Sequence, residues 1–167
     1  MNNVDIFTNI YEKKLWGESE FKMMKGSSGP GSSVHSTSET YTPFIRKFIH
    51  EKNIKSVVDL GCGDWQSTFN IFENIEIDYH GYDAYENVIL CNQKRFPEYS
   101  FSFMDIVENI DKVKDADLYI VKDVFQHLNY DSIAKILDNV IKQKKAKYIL
   151  TTNDTTDSDT YQDIRNS

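Results

Sequence analysis

Apolar and polar positions along this chain change period repeatedly, and each change marks an element. Over residues 1–17, Ile6, Phe7, Ile10, Tyr11, Leu15 and Trp16 recur roughly as one face of a helix. The stripe predicts either a short helix packed on a core or a lid whose Tyr11 and Trp16 touch a ligand. Gly26-Ser27-Ser28-Gly29-Pro30-Gly31-Ser32-Ser33 then has no hydrophobic anchor. Its composition reads as a linker, although its place before a core also suits an active-site lid. Ser36-x-x-Glu39 has capping-box form, and Thr42-Pro43 offers a second helix start. The stripe Phe44, Ile45, Phe48 and Ile49 follows.

From residue 55 onward, short apolar runs alternate with helical periods. Val57, Val58 and Leu60 predict a buried strand at about 55–60, then a helix at about 66–74 with Phe69 and Phe72 inward. Asp78 to Asp83 reads as a second strand and Tyr85 to Phe96 as a helix closed by Pro97. Tyr99 to Met104 reads as a third strand and Asp117 to Val121 as a fourth. Ile133, Ile136, Leu137, Val140 and Ile141 give a helix opened by Asn129, and Tyr148 to Leu150 a fifth strand. Lys142, Lys144, Lys145 and Lys147 read as a solvated helix C-terminus. Alternation of this kind predicts an α/β fold, a three-layer α/β/α sandwich around a mostly parallel, Rossmann-like sheet. Residues 1–35 form the N-terminal helix and Gly/Ser-rich lid segment, 36–154 the core, and 155–167 a polar tail without periodicity.

Composition narrows the class. With 167 residues, 40% hydrophobic and 13% aromatic, the chain suits one globular domain. A net charge of −7 argues against a strong grip on nucleic acid or an anionic membrane. Cys62 and Cys91 lack metal-ligand spacing and are expected to be reduced thiols, so no metal site is expected. The first residues carry no signal pattern and no run approaches 18 apolar residues, which implies a soluble, cytoplasmic protein.

The candidate chemistry begins at Gly61-x-Gly63, where the first strand must turn sharply and admit a ligand to the backbone. Strand, glycine turn and helix together form a nucleotide-type site at the carboxyl end of a sheet. A dinucleotide loop would carry a third glycine at position 66, where Gln66 follows the bulky Trp65. Asp83, 24 positions after Asp59, is placed to accept hydrogen bonds from both ribose hydroxyls of an adenosine, or to cap the following helix. As a strand-end acid it is expected to be exposed and to contribute little to stability.

Asp59-Leu60-Gly61-Cys62-Gly63 resembles the first motif of the class I S-adenosylmethionine (SAM) dependent methyltransferases. Tyr11, Trp16-Gly17 and Gly29-Pro30-Gly31-Ser32 resemble the entry segment of a subgroup found in bacterial glycan clusters and large DNA viruses. The resemblance implies SAM as cofactor, held by Tyr11, Trp16 and the turn with its flanks, Asp59, Gly61, Cys62, Gly63 and Trp65. It also implies Asp83 with Ala84 at the ribose, and Asp105 with Ile106 at the adenine amino group, although Asp105 also suits a cap for Val107-Glu108. Lys122-Asp123-Val124-Phe125-Gln126-His127-Leu128 resembles the family's segment after the fourth strand, near the methyl group. Lys122 and Asp123 are therefore expected at the cofactor, and His127 and Asp123 at the reaction, with His127 either a general base or a histidine packed beside Leu128.

The implied activity is methyl transfer to a small-molecule acceptor, a hydroxyl of a sugar or glycan precursor. A non-catalytic SAM- or nucleotide-binding module, or a truncated methyltransferase, is the alternative; an NAD-type oxidoreductase domain fits less well without the third glycine. The family's C-terminal hairpin is missing from the pattern. The fifth-strand edge is then expected to be covered by the tail or by a second copy in a homodimer.

Overall fold

Alternation within two strands sets the layers. In β1 (Ser56–Leu60) and β4 (Ala116–Lys122), neighbouring apolar residues point to opposite faces. Val57, Leu118 and Ile120 enter one core with Ile45, Ile49, Ile71, Phe72, Val88 and Ile89. Val58, Leu60, Tyr119 and Val121 enter the other with Ile106, Val107, Ile136 and Val140. A parallel strand buried on both faces needs such a near-continuous apolar run.

The computed structural model describes residues 2–153. Around β1 and β4 the order is α1 (Asn3–Glu12), α2 (Val34–Thr37), α3 (Tyr41–Glu51), α4 (Phe69–Phe72), β2 (Asp78–Asp83), α5 (Glu86–Arg95), β3 (Ser100–Phe103), α6 (Ile106–Asn109), α7 (Tyr130–Lys142) and β5 (Ala146–Thr152). All pairings are parallel, in the order β3-β2-β1-β4-β5. Chain direction across the sheet reverses between β1 and β4, and ligands of open α/β sheets bind at such a switch point. The α/β/α expectation therefore holds. The polar tail assigned to 155–167, and any cover it gives β5, lie outside the described residues. Among them, no helix is long and apolar enough to cross a membrane.

Several local expectations change. Ser33, not Ser36, caps α2, its side chain accepting from the Ser36 N–H at 3.3 Å. Pro43 falls at the third position of α3, still in the first turn, where a missing N–H costs no helical bond. The helix expected at 66–74 shrinks to the four residues of α4: Phe72 is buried, whereas Phe69 lies at the surface. Lys145 is not part of a solvated helix end. It is buried, with Nζ donating to Val113 O at 2.9 Å, so the low-dielectric environment is met by a carbonyl acceptor and the nearby Asp115.

The N-terminal segment joins the body rather than hanging from it. Tyr11 and Met24 are buried in the first core, and Tyr11 stacks on Tyr85 with ring centroids 4.5 Å apart.

Candidate active site

The glycine turn after β1 is a left-handed corner, with φ +77° at Gly61 and +59° at Gly63. Gly61 and Cys62 both donate to Tyr82 O, at 2.8 and 3.0 Å, which ties the corner to β2. The next peptide groups are held by side chains from three directions. Gly63 N donates to Asp83 Oδ2 at 3.0 Å, and Gly63 O accepts from Asn92 Nδ2 at 2.8 Å. Asp64 N donates to Ser28 Oγ at 2.7 Å, and Asp64 O accepts from Arg95 at 2.8 Å. Every backbone donor and acceptor of Gly63 and Asp64 is thus satisfied, as buried peptide groups require.

This bracing bears on two expectations. A Cβ on Gly63 would stand 2.4 Å from Ser28 Oγ, and one on Gly61 2.5 Å from Val124 Cγ2. The protein itself thus approaches these two glycines closely, the Gly/Ser loop on one side and the segment after β4 on the other. Gly63→Ala therefore combines an unfavourable φ with displacement of Ser28, a loss on the order of 1–3 kcal/mol. Chemical denaturation measures the loss, and hydrogen exchange at Ser28 and Asp64 should accelerate. Unchanged exchange at both positions would contradict the bracing.

The second, the exposure of Asp83, is corrected. The residue is buried, not exposed, and its carboxylate takes Gly63 N on one oxygen and Tyr85 N on the other, at 3.0 and 2.9 Å. Burial pushes its pKa up to about 6, against the pull of those N–H donors. Asp83 therefore does not cap α5, whose N-cap is Tyr85 without a side-chain bond; it fixes the turn ahead of that helix and keeps lone pairs for further donors.

A cavity of about 1110 Å³ opens at the switch point. Its wall includes Tyr11, Trp16, Asp59, Gly61, Cys62, Gly63, Trp65, Asp83, Ala84, Asp105, Ile106, Lys122, Asp123 and His127, so every candidate residue borders it. Trp65 does so from behind: its indole is buried, donates to Tyr79 Oη at 2.7 Å and lies among Phe72, Phe96 and Phe101. The expected cofactor contact of Trp65 is thus replaced by a core ring that braces the turn.

Tyr79 passes the same chain of hydrogen bonds to Asp59 Oδ2 at 2.9 Å. Burial raises Asp59 to about 7, opposed by the Tyr79 hydroxyl and Lys122. A carboxyl group raised on folding contributes stability in full below its unfolded value and loses it as pH rises through the folded value. Asp59→Asn keeps an acceptor for Tyr79 and removes the buried charge. The variant should match wild type near pH 4 and gain on the order of 2–4 kcal/mol at pH 8. Melting curves across that range decide it; a pH-independent difference would contradict the burial of charge.

Beyond β4, Asp123 is held at φ +56°, a left-handed conformation unusual for a non-glycine residue and common at functional sites. Its N–H donates to Thr152 O at 2.8 Å, and its carboxylate takes Thr152 Oγ1 at 3.3 Å and the Lys122 ammonium. Lys122 also donates to Gly31 O at 3.1 Å, tying the Gly/Ser loop to the ends of β4 and β5. The loop is therefore docked at Ser28 and Gly31.

His127 is not packed in the core beside Leu128. Its ring stands 4.9 Å from Trp16 and edge-on to Phe7 at 6.3 Å, facing the N-terminal segment. Burial lowers its pKa, with Asp123 pulling the other way, so the imidazole is neutral at pH 7.5. Cys62 is buried with its thiol pKa raised, which keeps it protonated.

Ser28, Asp64, Gln66, Asn92 and Arg95 escaped the sequence reading. Asp64 and Gln66, just after Gly63, carried a local signal; Ser28, Asn92 and Arg95 reach the turn across 29 or more positions. Among the described residues no three His, Cys, Asp or Glu side chains converge as a metal site would need.

The fold matches solved structures of SAM-dependent methyltransferases. The methyltransferase domain of bacterial CtHen1-CN aligns at a TM-score of 0.60 and 15% identity, over 70% of this chain and 65% of that one. Mitomycin 7-O-methyltransferase MmcR aligns at 0.55 and 13%, over 75% and 39%. The plantazolicin methyltransferase BpumL, solved in complex with a monoazolic desmethylPZN analogue and S-adenosylhomocysteine (SAH), aligns at 0.51 and 20%, over 65% and 41%. The chain thus spans less than two thirds of these structures' length, and at such identities the likeness is one of fold. No family model matches the chain, and no curated protein matches it.

Proposed function

We propose that this protein transfers a methyl group from SAM to a hydroxyl of a small acceptor, a sugar or glycan precursor. The observation that carries the reading is the charge of the cavity wall. Asp59, Asp64, Asp83, Asp105 and Asp123 face a single lysine, Lys122. SAM carries a sulfonium and an ammonium against one carboxylate, so an acidic wall suits it; a dinucleotide would bring a pyrophosphate to the same wall. The volume, about 1110 Å³, lies at the upper end of ligand cavities, roughly 300–1,000 Å³, and leaves room for an acceptor beside the cofactor.

The residues fit such a group. Asp83 would hold the ribose with the lone pairs its backbone donors leave free. The corner Gly61-Cys62-Gly63, with Asp59, Lys122 and Asp123, would hold the amino-acid end. Ala84, Asp105 and Ile106 would flank the base, and Tyr11 and Trp16 would close the site against water. When bound, SAM supplies an electrophilic methyl group on its sulfonium. The chain's own task is to align the acceptor and remove its proton. Neutral His127 accepts that proton, and Asp123, close enough to act on it electrostatically, stabilises the resulting imidazolium. The hydroxyls of Ser32, Ser36, Thr37, Thr40, Ser67 and Thr68 give the wall uncharged hydrogen-bonding groups of the kind a polyhydroxylated acceptor uses.

A methyl-transfer assay with labelled SAM and a panel of sugars and glycan precursors tests the reading. Label should appear in an alkali-stable methyl ether together with SAH. Tight SAM binding with no transfer to any hydroxyl, amine or thiol acceptor would make the protein a binding module instead.

A further inference from the structure

Asp105 was expected to meet the adenine amino group, yet its carboxylate is already engaged. Oδ1 accepts from Val107 N at 3.0 Å and from Glu108 N at 3.4 Å, capping α6. Both oxygens also accept from Asn3 Nδ2, each at 3.2 Å, across 102 positions of sequence. A carboxylate offers acceptors only, so this contact fixes which end of the Asn3 amide faces Asp105. One amide hydrogen is used there. The second hydrogen and Oδ1 have no partner among the described residues, and Asn3 borders the cavity.

The result is a paired donor and acceptor, presented side by side at the cavity edge by a half-buried side chain. That pairing complements one edge of adenine, where N7 accepts and N6 donates, and asparagine reads this edge bidentately. The base region of the wall, Ala84, Met104, Ile106 and Val107, supplies apolar contact but no comparable side-chain donor. We infer that Asn3 is the base-reading residue of this site, oriented by Asp105, which acts on the base through Asn3. The inference rests on the reading that the cavity holds an adenosine cofactor.

The placement is firm enough for recognition. The helix carrying Asn3 is anchored at its far end, where Tyr11 stacks on Tyr85 and bonds Ser28 Oγ at 2.7 Å, and Tyr85 Oη donates to Glu12 at 2.8 Å. Ten residues of helix thus hold Asn3 at one end and the covering Tyr11 at the other.

Titration of wild type and Asn3→Ala with SAH and with its 7-deaza analogue, which lacks only the N7 acceptor, tests the assignment. Asp105 cannot donate to N7, so discrimination at that atom reports Asn3. Wild type should prefer SAH by roughly fivefold to tenfold, half the worth of a bidentate base contact. Asn3→Ala should bind SAH more weakly and lose the preference, with its melting temperature unchanged. Equal discrimination in both proteins, or none in wild type, would overturn the role of Asn3 while leaving the cofactor reading intact. Tighter SAH binding by Asn3→Ala would also overturn it, making Asn3 a competitor for Asp105. Failure of wild type to bind either ligand would remove the adenosine reading and this inference together.

Discussion

Asp83→Ala should weaken SAH binding about tenfold to a hundredfold and destabilise the fold at the same time. The affinity term follows from two charge-assisted hydrogen bonds to ribose, together worth roughly 1.5–3 kcal/mol. The stability term follows from the N–H groups of Gly63 and Tyr85, which lose the carboxylate that accepts from both. Leaving buried donors unsatisfied costs about 1–3 kcal/mol each, and relief of a buried charge offsets part of it. Asp83→Asn should not rescue the fold, because its amide nitrogen would face one of those donors. In wild type, SAH affinity should fall as pH drops through about 6, where the raised pKa of Asp83 removes the acceptor charge. The sign for stability is opposite: protonation relieves the buried charge, so the Asp83 contribution is full below its unfolded pKa and lost as pH rises through about 6. A mutant that binds SAH as wild type does would refute the ribose contact.

His127→Ala should slow methyl transfer by about 10²–10⁴ while SAH affinity and melting temperature stay near wild type. The ring lies beside Trp16 and Phe7 at the cavity rather than inside either core, so its removal leaves β4 and α7 packed as before. His127→Asn should be nearly as slow, since an amide takes no proton at neutral pH. The wild-type rate should decline as pH falls below the usual imidazole range, because protonated His127 has no acceptor to offer. Parallel loss of folding and activity in both variants would make the ring structural.

Much of the architecture could be read from period alone. β2 begins and ends at Asp78 and Asp83 as its pattern predicts, and the α7 stripe is opened by Asn129 as expected. Those features are local: a strand ends where alternation stops, and a cap lies beside the helix it caps. What stayed hidden is what distant segments do to one another. Asp83 reads as an exposed strand tip, and only the fold turns its two oxygens onto Gly63 and Tyr85. Trp65 follows the glycine turn closely enough to read as a ligand neighbour, yet its indole fills the core beside Tyr79. Lys145 belongs to a lysine run by sequence and to a buried carbonyl by structure. The Gly/Ser stretch has linker composition, but Ser28 and Gly31 dock it onto the turn and onto Lys122. No spacing rule pairs Ser28 with Asp64 or Asn3 with Asp105, because the side chains meet only after the sheet has formed.

Calorimetric titration with SAH and, in parallel, with NAD⁺ tests the proposed cofactor most directly. The expected result is saturable one-to-one binding of SAH, weakened in Asp83→Ala, with no heat from NAD⁺ at the same concentrations. Saturable NAD⁺ binding with none by SAH would contradict it, since the acidic wall would then be accommodating a pyrophosphate rather than a sulfonium cofactor.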